Sequence, residues 1–310
     1  MPEDEYQWFP RAALLSFEEI ERLAAVFAGL GVDAVRITGG EPLLRRDLDR
    51  LVAGFVRQGL DEIALTTNGV LLADHAERLK LAGLTRITVS LDTMRRDRFL
   101  KLTRRDDLER TLAGLRAARA AGFTSTKINT VVMRGFNDDE LPALLTLGRE
   151  LGVEVRFIEY MDVGGATRWA MDRVVPREEI LRSIAASHGE PIEVPRVDAA
   201  PADRFELPCG TRFGIIASTT RPFCGTCDRA RLTADGRLFL CLYATTGFDL
   251  RDVLRSDASD EELASKLREI WCGRNDRGAE VRLAQEQRTA LTDKAGLDDN
   301  PHLEMHTRGG

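Results

Sequence analysis

The sequence lacks long hydrophobic runs and is poor in aromatic residues. Aromatics make up 6% of the 310 residues, and no apolar stretch approaches the ~18 residues that a membrane-spanning helix needs. The first ten residues are acidic and aromatic, without the charged and then apolar pattern of a signal peptide. We therefore expect no membrane span and no membrane partner.

An excess of positive charge is also missing. The chain carries 44 Lys and Arg against 50 Asp and Glu, a formal net charge of −6. Proteins that wrap nucleic acid are normally basic, so we expect no nucleic-acid partner. Hydrophobic residues nevertheless reach 43%, which is enough to bury a core and excludes a disordered chain.

Cysteine is scarce, and its number is odd. Five cysteines do not suit the disulfide framework of a small secreted protein. Three of them lie close together, as Cys224-Gly-Thr-Cys227 and then Cys241 after thirteen further residues. This spacing indicates a metal site in a reducing compartment, so we expect a cytoplasmic protein.

The first 160 residues alternate between strand-like and helix-like patterns. We predict strands over 33–38, 62–67, 86–91, 126–133 and 154–160. Such alternation is typical of βα units with a parallel sheet.

The first predicted element is a helix, opened by a capping box between Ser16 and Glu19. Residues 1–11 are too polar and too interrupted by proline for a central strand. Two architectures remain open: a βα barrel whose first strand is missing, and an open sheet that begins with a helix.

The pattern changes in the second half, so we predict two domains, 1–175 and 176–310. The predicted elements of the second domain are a helix at 176–187, strands at 212–217 and 237–242, and a helix at 260–270. Residues 275–310 are polar and weakly periodic, and we predict a tail with little regular structure.

The cysteine pattern allows several metal centres. Two thiolates on one turn and a third on a following strand can converge on one ion or cluster. Three thiolates suit an iron–sulfur cluster with one open iron, whereas Cys209 as a fourth ligand suits zinc. Free thiols are the third possibility, and Cys272 is interpreted as a small buried residue.

Polar segments follow four of the predicted strands, at 38–42, 66–69, 90–92 and 160–164. Ligands bind at this carboxyl edge of parallel α/β sheets, and paired glycines let the backbone approach them. Gly-Gly and Asn-Gly are also ordinary turns, so only the series of four favours a binding site.

Arg36, Lys127 and Arg156 interrupt otherwise apolar strands. A buried unpaired charge is costly, although a local carboxylate or a position near solvent would explain any one of them. If all three face one interior, they form a cationic cavity suited to a polyanionic small ligand such as a nucleotide phosphate.

Arg229 and Arg231 share one face of an extended segment just after Cys227. They can point at the same ligand beside the metal, or pair with Asp228 or Asp235.

Together these motifs resemble the GTP 3',8-cyclase family, the radical S-adenosylmethionine (SAM) enzymes that begin molybdenum cofactor synthesis. The motifs that carry the resemblance lie at 36–45, 65–69, 89–92, 127–129, 156–164 and 223–232. The most specific is Cys-x-x-Cys-x-Arg-Ala-Arg with its third cysteine thirteen residues on, which favours an iron–sulfur cluster over zinc.

The resemblance implies an α/β fold, a partial (β/α)6 TIM-like radical SAM barrel with its first strand missing, plus a C-terminal cluster-binding extension. It implies that Cys224, Cys227 and Cys241 bind a 4Fe-4S cluster whose open iron faces the guanine.

The family's ligand contacts also map onto this sequence. The implied SAM-binding residues are Gly40, Glu41, Asn68, Ser90 and Met161. The implied GTP-binding residues are Arg36, Thr67, Lys127, Arg156, Arg229, Ala230 and Arg231. Gly309 and Gly310 match a C-terminal tail that reaches the active site, and no residue is assigned a catalytic role.

The implied reaction begins with a 5'-deoxyadenosyl radical that abstracts the 3' hydrogen of GTP. The ribose carbon then bonds to C8 of guanine, giving (8S)-3',8-cyclo-7,8-dihydroguanosine 5'-triphosphate. The implied downstream partner is cyclic pyranopterin monophosphate synthase, and a homodimer is compatible with the family.

One departure concerns the cluster that donates an electron to SAM. The family binds it with a Cys-x-x-x-Cys-x-x-Cys motif, typically followed by Met-Pro, and this sequence begins with Met1-Pro2. An upstream GTP-binding arginine and a SAM-contacting tyrosine are absent with it. We expect an N-terminally truncated copy that does not cleave SAM, whose second, SAM-binding 4Fe-4S cluster occurs only in a longer chain.

Two alternatives stay open. The first is a non-catalytic protein that keeps the nucleotide site and one metal centre. The second is a radical SAM enzyme that acts on another substrate.

Overall fold

The computed structural model describes residues 7–196 and 199–309, and eight of its strands form one sheet. The strands are β1 (Ala34–Ile37), β2 (Glu62–Thr67), β3 (Arg86–Ser90), β4 (Lys127–Val132), β5 (Glu154–Glu159), β6 (Ile192–Val194), β7 (Asp203–Glu206) and β8 (Arg212–Ile216). All five strands predicted in the first half are confirmed.

The sheet order is β1-β2-β3-β4-β5-β8-β7-β6, in which β1 to β5 and β8 are parallel. β7 and β6 extend it in antiparallel register. β1 pairs only with β2 within the described residues, so the sheet is not closed into a full barrel. β8 pairs with β5, so one sheet contains residues from both sides of position 175.

Helices connect the parallel strands and cover one face of the sheet. They are α1 (Phe17–Gly29), α2 (Leu48–Arg57), α3 (Leu72–Leu81), α4 (Arg96–Thr103), α5 (Leu108–Ala120), α6 (Leu141–Leu151) and α7 (Arg177–His188). The capping box of α1 forms as predicted, since Ser16 and Glu19 bond reciprocally. Fully buried apolar side chains such as Ile63, Ile87 and Ile128 form the core beneath the helices. Because strand side chains alternate, the opposite face receives the polar residues.

A second core joins the C-terminal region to α1. Its elements are β9 (Arg231–Leu232), β10 (Arg237–Phe239), β11 (Phe248–Asp249), α8 (Arg251–Leu254) and α9 (Asp260–Cys272). Leu23 of α1 packs with Leu238 and Leu267, all three buried. None of the helices in the described part of the chain is long and apolar enough to cross a bilayer.

Two predictions about this region are wrong. Residues after 275 contain three short helices, α10 (Gly278–Leu283), α11 (Lys294–Asp299) and α12 (Met305–Arg308). Leu303, His306 and Arg308 are buried. Polar contacts to residues distant in the sequence, such as that of Arg308 with the Leu242 carbonyl, hold these helices in place, and such contacts leave no periodic pattern in the sequence. Cys272 is exposed at the end of α9. Gly310 lies outside the described residues.

Candidate functional site

Arg36 lies on the polar face of the sheet. Its Nη1 donates to the hydroxyls of Thr66 on β2 (3.1 Å) and of Thr88 on β3, the strand beyond it (3.2 Å). The side chain stays open to solvent although protein atoms surround much of the guanidinium, as at the floor of an open cavity. Burial, and then repulsion from Arg86 and Arg156, lower the pKa of Arg36 to about 10.

Lys127 and Arg156 face the same cavity. Burial, followed by the charge of Arg156, lowers the pKa of Lys127 to about 8. The Arg156 Nε donates to Glu154 at 2.5 Å. Gly214 gives Arg156 room, because a Cβ there would lie 3.3 Å from the Arg156 Cγ. The structure therefore brings the three predicted strand cations together.

Arg86 is a fourth cation on this face, which the sequence reasoning missed. It begins β3 and forms an ion pair with Glu62. The sequence reasoning missed it because charged residues are common at the first position of a strand. The available signal was strand alternation, which puts Arg86 on the same face as Thr88 and Ser90.

Glu41 braces the Gly-Gly-Glu-Pro turn against the end of β2. Its carboxylate accepts from the Thr67 hydroxyl (2.7 Å), the Asn68 backbone N–H (2.8 Å) and the Leu43 backbone N–H (3.0 Å). Thr67 is buried, so Glu41 and Thr67 hold each other rather than projecting freely. The ligand contacts predicted for Glu41, Thr67 and Asn68 stay predictions.

Gly40, Ser90 and Met161 lie at one edge of the sheet, after or at the ends of β1, β3 and β5. Gly40 and Ser90 are exposed there and Met161 is partly buried. The Trp8 ring packs over Gly40, since a Cβ on Gly40 would lie 3.0 Å from Trp8. This is the edge predicted to bind SAM.

Cys224, Cys227 and Cys241 are free and partly buried. Two adjacent residues lie near the cysteine turn and near Cys241. Arg277 lies beside Cys224 of the turn, and a Cβ on Gly278 would lie 3.0 Å from the Cys241 Sγ. Cys227 and Cys241 in turn both act electrostatically on the Arg231 guanidinium. The cysteine turn and Cys241 therefore face a common environment.

That environment favours thiolates. Burial would raise the pKa of the Cys227 thiol, but the backbone N–H and the positive charge of Arg229 outweigh it and lower the pKa. The Arg229 Nη2 lies 3.4 Å from the Cys227 Sγ. Because the thiolate is the metal-binding form, this donor set fits a cluster ligand.

Zinc with Cys209 as fourth ligand does not fit. Cys209 is exposed on the turn before β8, whereas Cys224 follows the far end of that strand. A five-residue strand spans about 16 Å, while zinc holds each thiolate at about 2.3 Å. In residues 7–196 and 199–309, no three His, Cys, Asp or Glu side chains are placed to hold a single metal ion. A cluster binds its thiolates through separate irons.

A second three-cysteine set is missing from the sequence. The two remaining cysteines, Cys209 and Cys272, are both exposed and separated from each other along the chain. The residues present therefore do not fit the SAM-binding cluster.

The C-terminal tail reaches the basic segment after Cys227. The Arg231 Nη1 donates to the Gly309 carbonyl at 2.7 Å. Gly309 has a φ of +76°, and a Cβ there would lie 2.2 Å from the Thr38 Cγ2, so only glycine fits. Arg229 stacks over Phe223 and is exposed, as is Ala230.

Comparisons with known proteins define the class. The chain matches the radical SAM superfamily over residues 3–148 and Molybdenum Cofactor Synthesis C over residues 153–280. Among solved structures it is similar to Streptococcus suis SuiB bound to precursor peptide SuiA, with a TM-score of 0.56 at 16% identity, over 86% of this chain and 62% of that one. SuiB bound to S-adenosylmethionine gives a TM-score of 0.54 at 13% identity, over 83% and 62%. The fold is that of a radical SAM protein, and the expected partial barrel is confirmed.

Curated relatives narrow the class to one family. GTP 3',8-cyclase 3 of Mycobacterium bovis is 51% identical over 100% of this chain and 83% of its own length. GTP 3',8-cyclase 1 of Mycobacterium tuberculosis is 52% identical over 100% and 88%, and the Streptomyces coelicolor GTP 3',8-cyclase 44% identical over 100% and 88%. The chain belongs to the GTP 3',8-cyclase family. Membership implies SAM and 4Fe-4S clusters as the cofactors of these enzymes.

Proposed function

We propose that this chain is a GTP 3',8-cyclase of molybdenum cofactor synthesis that binds GTP on the polar face of its sheet, and that its turnover requires a SAM-cleaving cluster which these 310 residues do not bind. The observation that carries the proposal is the convergence of Arg36, Lys127 and Arg156 around one open cavity. Burial first, and then the charge of Arg156 among others, lowers the pKa of both Arg36 and Lys127. A polyanion such as a triphosphate relieves the repulsion among these cations. Thr67, Arg229, Ala230 and Arg231 are the further GTP contacts we propose.

Cys224, Cys227 and Cys241 hold the substrate-binding 4Fe-4S cluster in this proposal. When bound, the cluster offers one open iron to the substrate. Arg229 keeps the Cys227 thiol in its ligand form, and Arg231 links this site to Gly309 of the tail. Gly310 continues that tail.

SAM binds at the carboxyl edge, against Gly40, Asn68, Ser90 and Met161. Glu41 keeps this edge in place by joining the turn to β2. We further propose the domain division 1–175 and 176–310, a homodimer, and cyclic pyranopterin monophosphate synthase as the consumer of the product.

Reductive cleavage of SAM requires a cluster for which these 310 residues contain no cysteine set. We expect the 310-residue chain, with SAM, dithionite and GTP, to form no 5'-deoxyadenosine. Formation of 5'-deoxyadenosine at the rate of a full family enzyme would contradict this part of the proposal.

Calorimetric titration of the anaerobically reconstituted chain with GTP tests the binding site. We expect one GTP per chain, and binding at least tenfold weaker in Arg36→Gln, because charge-assisted hydrogen bonds contribute about 1.5 to 3 kcal/mol. Arg57→Gln is the matched control, since Arg57 is exposed on helix α2 and pairs with Glu21 of α1. Equal affinity in Arg36→Gln, or no binding of GTP, would contradict the proposal.

A further inference from the structure

We propose that Arg86 contacts the terminal phosphate of GTP and makes the site select a nucleoside triphosphate over the diphosphate and monophosphate. This inference rests on the proposed function. It adds a substrate-binding residue that the motifs did not indicate.

The strand register places Arg86 beside Arg36. Ala64 of β2 is the Cα partner of Arg36 on one side and of Arg86 on the other. Neighbouring strands lie about 4.8 Å apart, so the two arginines stand about 10 Å apart on one face of the sheet. The small side chain of Ala64 leaves the space between them open to a ligand.

One hydrogen-bond donor of Arg86 is unsatisfied. Its Nη2 pairs with Glu62, whereas its Nε is buried without a hydrogen-bond partner among the described residues. Buried donors are normally satisfied, so this one requires an acceptor. Phosphate oxygens are suitable acceptors, because the guanidinium presents its N–H groups in a planar fork.

The charge balance of the cavity points to the same ligand. On strands β1 to β5 of this face, the cations Arg36, Arg86, Lys127 and Arg156 stand beside two carboxylates, Glu62 and Glu154. Each phosphate added to a nucleotide compensates more of this positive charge. A nucleotide with fewer phosphates leaves the Arg86 Nε without an acceptor, and this difference lets the site discriminate between the nucleotides.

The position of Arg86 along its strand identifies which phosphate it meets. Arg86 is the first residue of β3, whereas the cysteines and the tail lie toward the carboxyl edge. A nucleotide with its base toward the cysteines therefore extends its phosphates toward the strand starts. The terminal phosphate is the group that reaches Arg86.

Calorimetry with GTP, GDP and GMP on the reconstituted chain tests this assignment. Arg86→Lys keeps the charge but removes the fork. We expect it to weaken GTP binding about tenfold or more and to leave GMP binding unchanged, so that the ratio of GTP to GMP affinity falls. The control Arg57→Lys changes an exposed arginine that pairs with Glu21 on the helices, and it should keep the wild-type ratio.

Glu62→Gln provides a second variant, in which the Arg86 side chain itself is unchanged. It removes the competing carboxylate from the Arg86 Nη2, so we expect tighter GTP binding and unchanged GMP binding. This result is informative even if Arg86→Lys folds poorly, which circular dichroism of the ligand-free chain would show. A Glu62→Gln chain with unchanged or weaker GTP binding would contradict the inference.

The remaining outcomes separate this inference from the proposed function. A wild-type ratio in Arg86→Lys, together with weak GTP binding in Arg36→Gln, would overturn the role of Arg86 alone. Equal weakening of GTP, GDP and GMP would show a merely structural role and overturn it too. A wild-type chain that binds GTP no better than GMP would also overturn the inference, whereas a wild-type chain that binds no GTP would overturn the proposed function itself.

Discussion

Lys127 lies on the cavity face with a pKa lowered to about 8, first by burial and then by the charge of Arg156. Glu154 offsets part of this effect, while Arg86 and Arg36 add to it. Free Lys127 therefore loses its proton above about pH 8. A triphosphate binds the charged form, so binding at higher pH must take up a proton.

We predict that GTP affinity falls above pH 8, by up to tenfold per pH unit. Because the second phosphate pKa is about 6, the triphosphate itself stays ionised over this range. Lys127→Arg stays charged, so its affinity should change little between pH 7.5 and 9.5. Calorimetry across this range checks both chains, and parallel pH curves would contradict a role for Lys127.

At the scale of single residues, the sequence reveals a charged side chain when it lies within an otherwise apolar strand. Arg36, Lys127 and Arg156 were identifiable because charge interrupts apolar strands. Arg86 was not, because it opens its strand. The bond between Glu41 and Thr67 joins residues 26 positions apart, and no local pattern encodes such a pairing.

Among the elements, the segment after β5 is tied to the C-terminal region by Asp162. This carboxylate is fully buried and accepts from the Tyr243 hydroxyl (2.9 Å), the Arg282 Nε (2.7 Å) and the Arg288 Nη2 (2.7 Å). Tyr243 follows Cys241 by two residues, so Asp162 joins the segment after β5 to the segment that carries Cys241.

We predict that Asp162→Asn lowers the free energy of unfolding by about 3 to 5 kcal/mol, because it leaves two buried arginines uncompensated. Urea denaturation measures the loss. Asp298→Asn, a change at an exposed position on α11, should be nearly neutral. A loss below about 1 kcal/mol would mean that Asp162 does not hold these elements together.

The tail gives a third prediction. In Gly309→Ala the new Cβ would lie 2.2 Å from the Thr38 Cγ2, at a φ that alanine rarely adopts. We expect faster hydrogen exchange over residues 301–309 with the urea midpoint of the whole chain little changed. Gly29→Ala, which meets no atom within 4 Å, is the control. Unchanged exchange in Gly309→Ala would show that the tail does not depend on this contact.

The elements were predictable where they are long or periodic. The strands of the first half follow from alternation, and helix α1 follows from its capping box. Helix α9 matches the helix predicted at 260–270. The tail was not predictable, because α12 has only four residues. The C-terminal region is held in place by contacts such as the one between Arg288 and Asp162, which lie 126 positions apart in the sequence.

For the whole molecule, the cysteine set decides the cofactor. We predict ~4 irons per chain after anaerobic reconstitution, as for one 4Fe-4S cluster. Cys224→Ser, Cys227→Ser and Cys241→Ser should each lose most of this iron. The exposed Cys209 is the matched control, and Cys209→Ser should keep it. Iron and sulfide analysis checks this, and loss of iron in Cys209→Ser would restore a four-cysteine site.

Two structural connections join the cysteine site to the cavity. β8 continues the parallel sheet beyond β5, and α1 shares a core with α9 and β10. GTP that spans from the strand cations to the cysteines therefore lies within one continuous structure.

The most direct test of this placement of GTP is the electron paramagnetic resonance spectrum of the reduced, reconstituted cluster with and without GTP. The account predicts that GTP changes the spectrum, and that Arg36→Gln needs at least tenfold more GTP for the same change. A spectrum that stays the same at saturating GTP would contradict it.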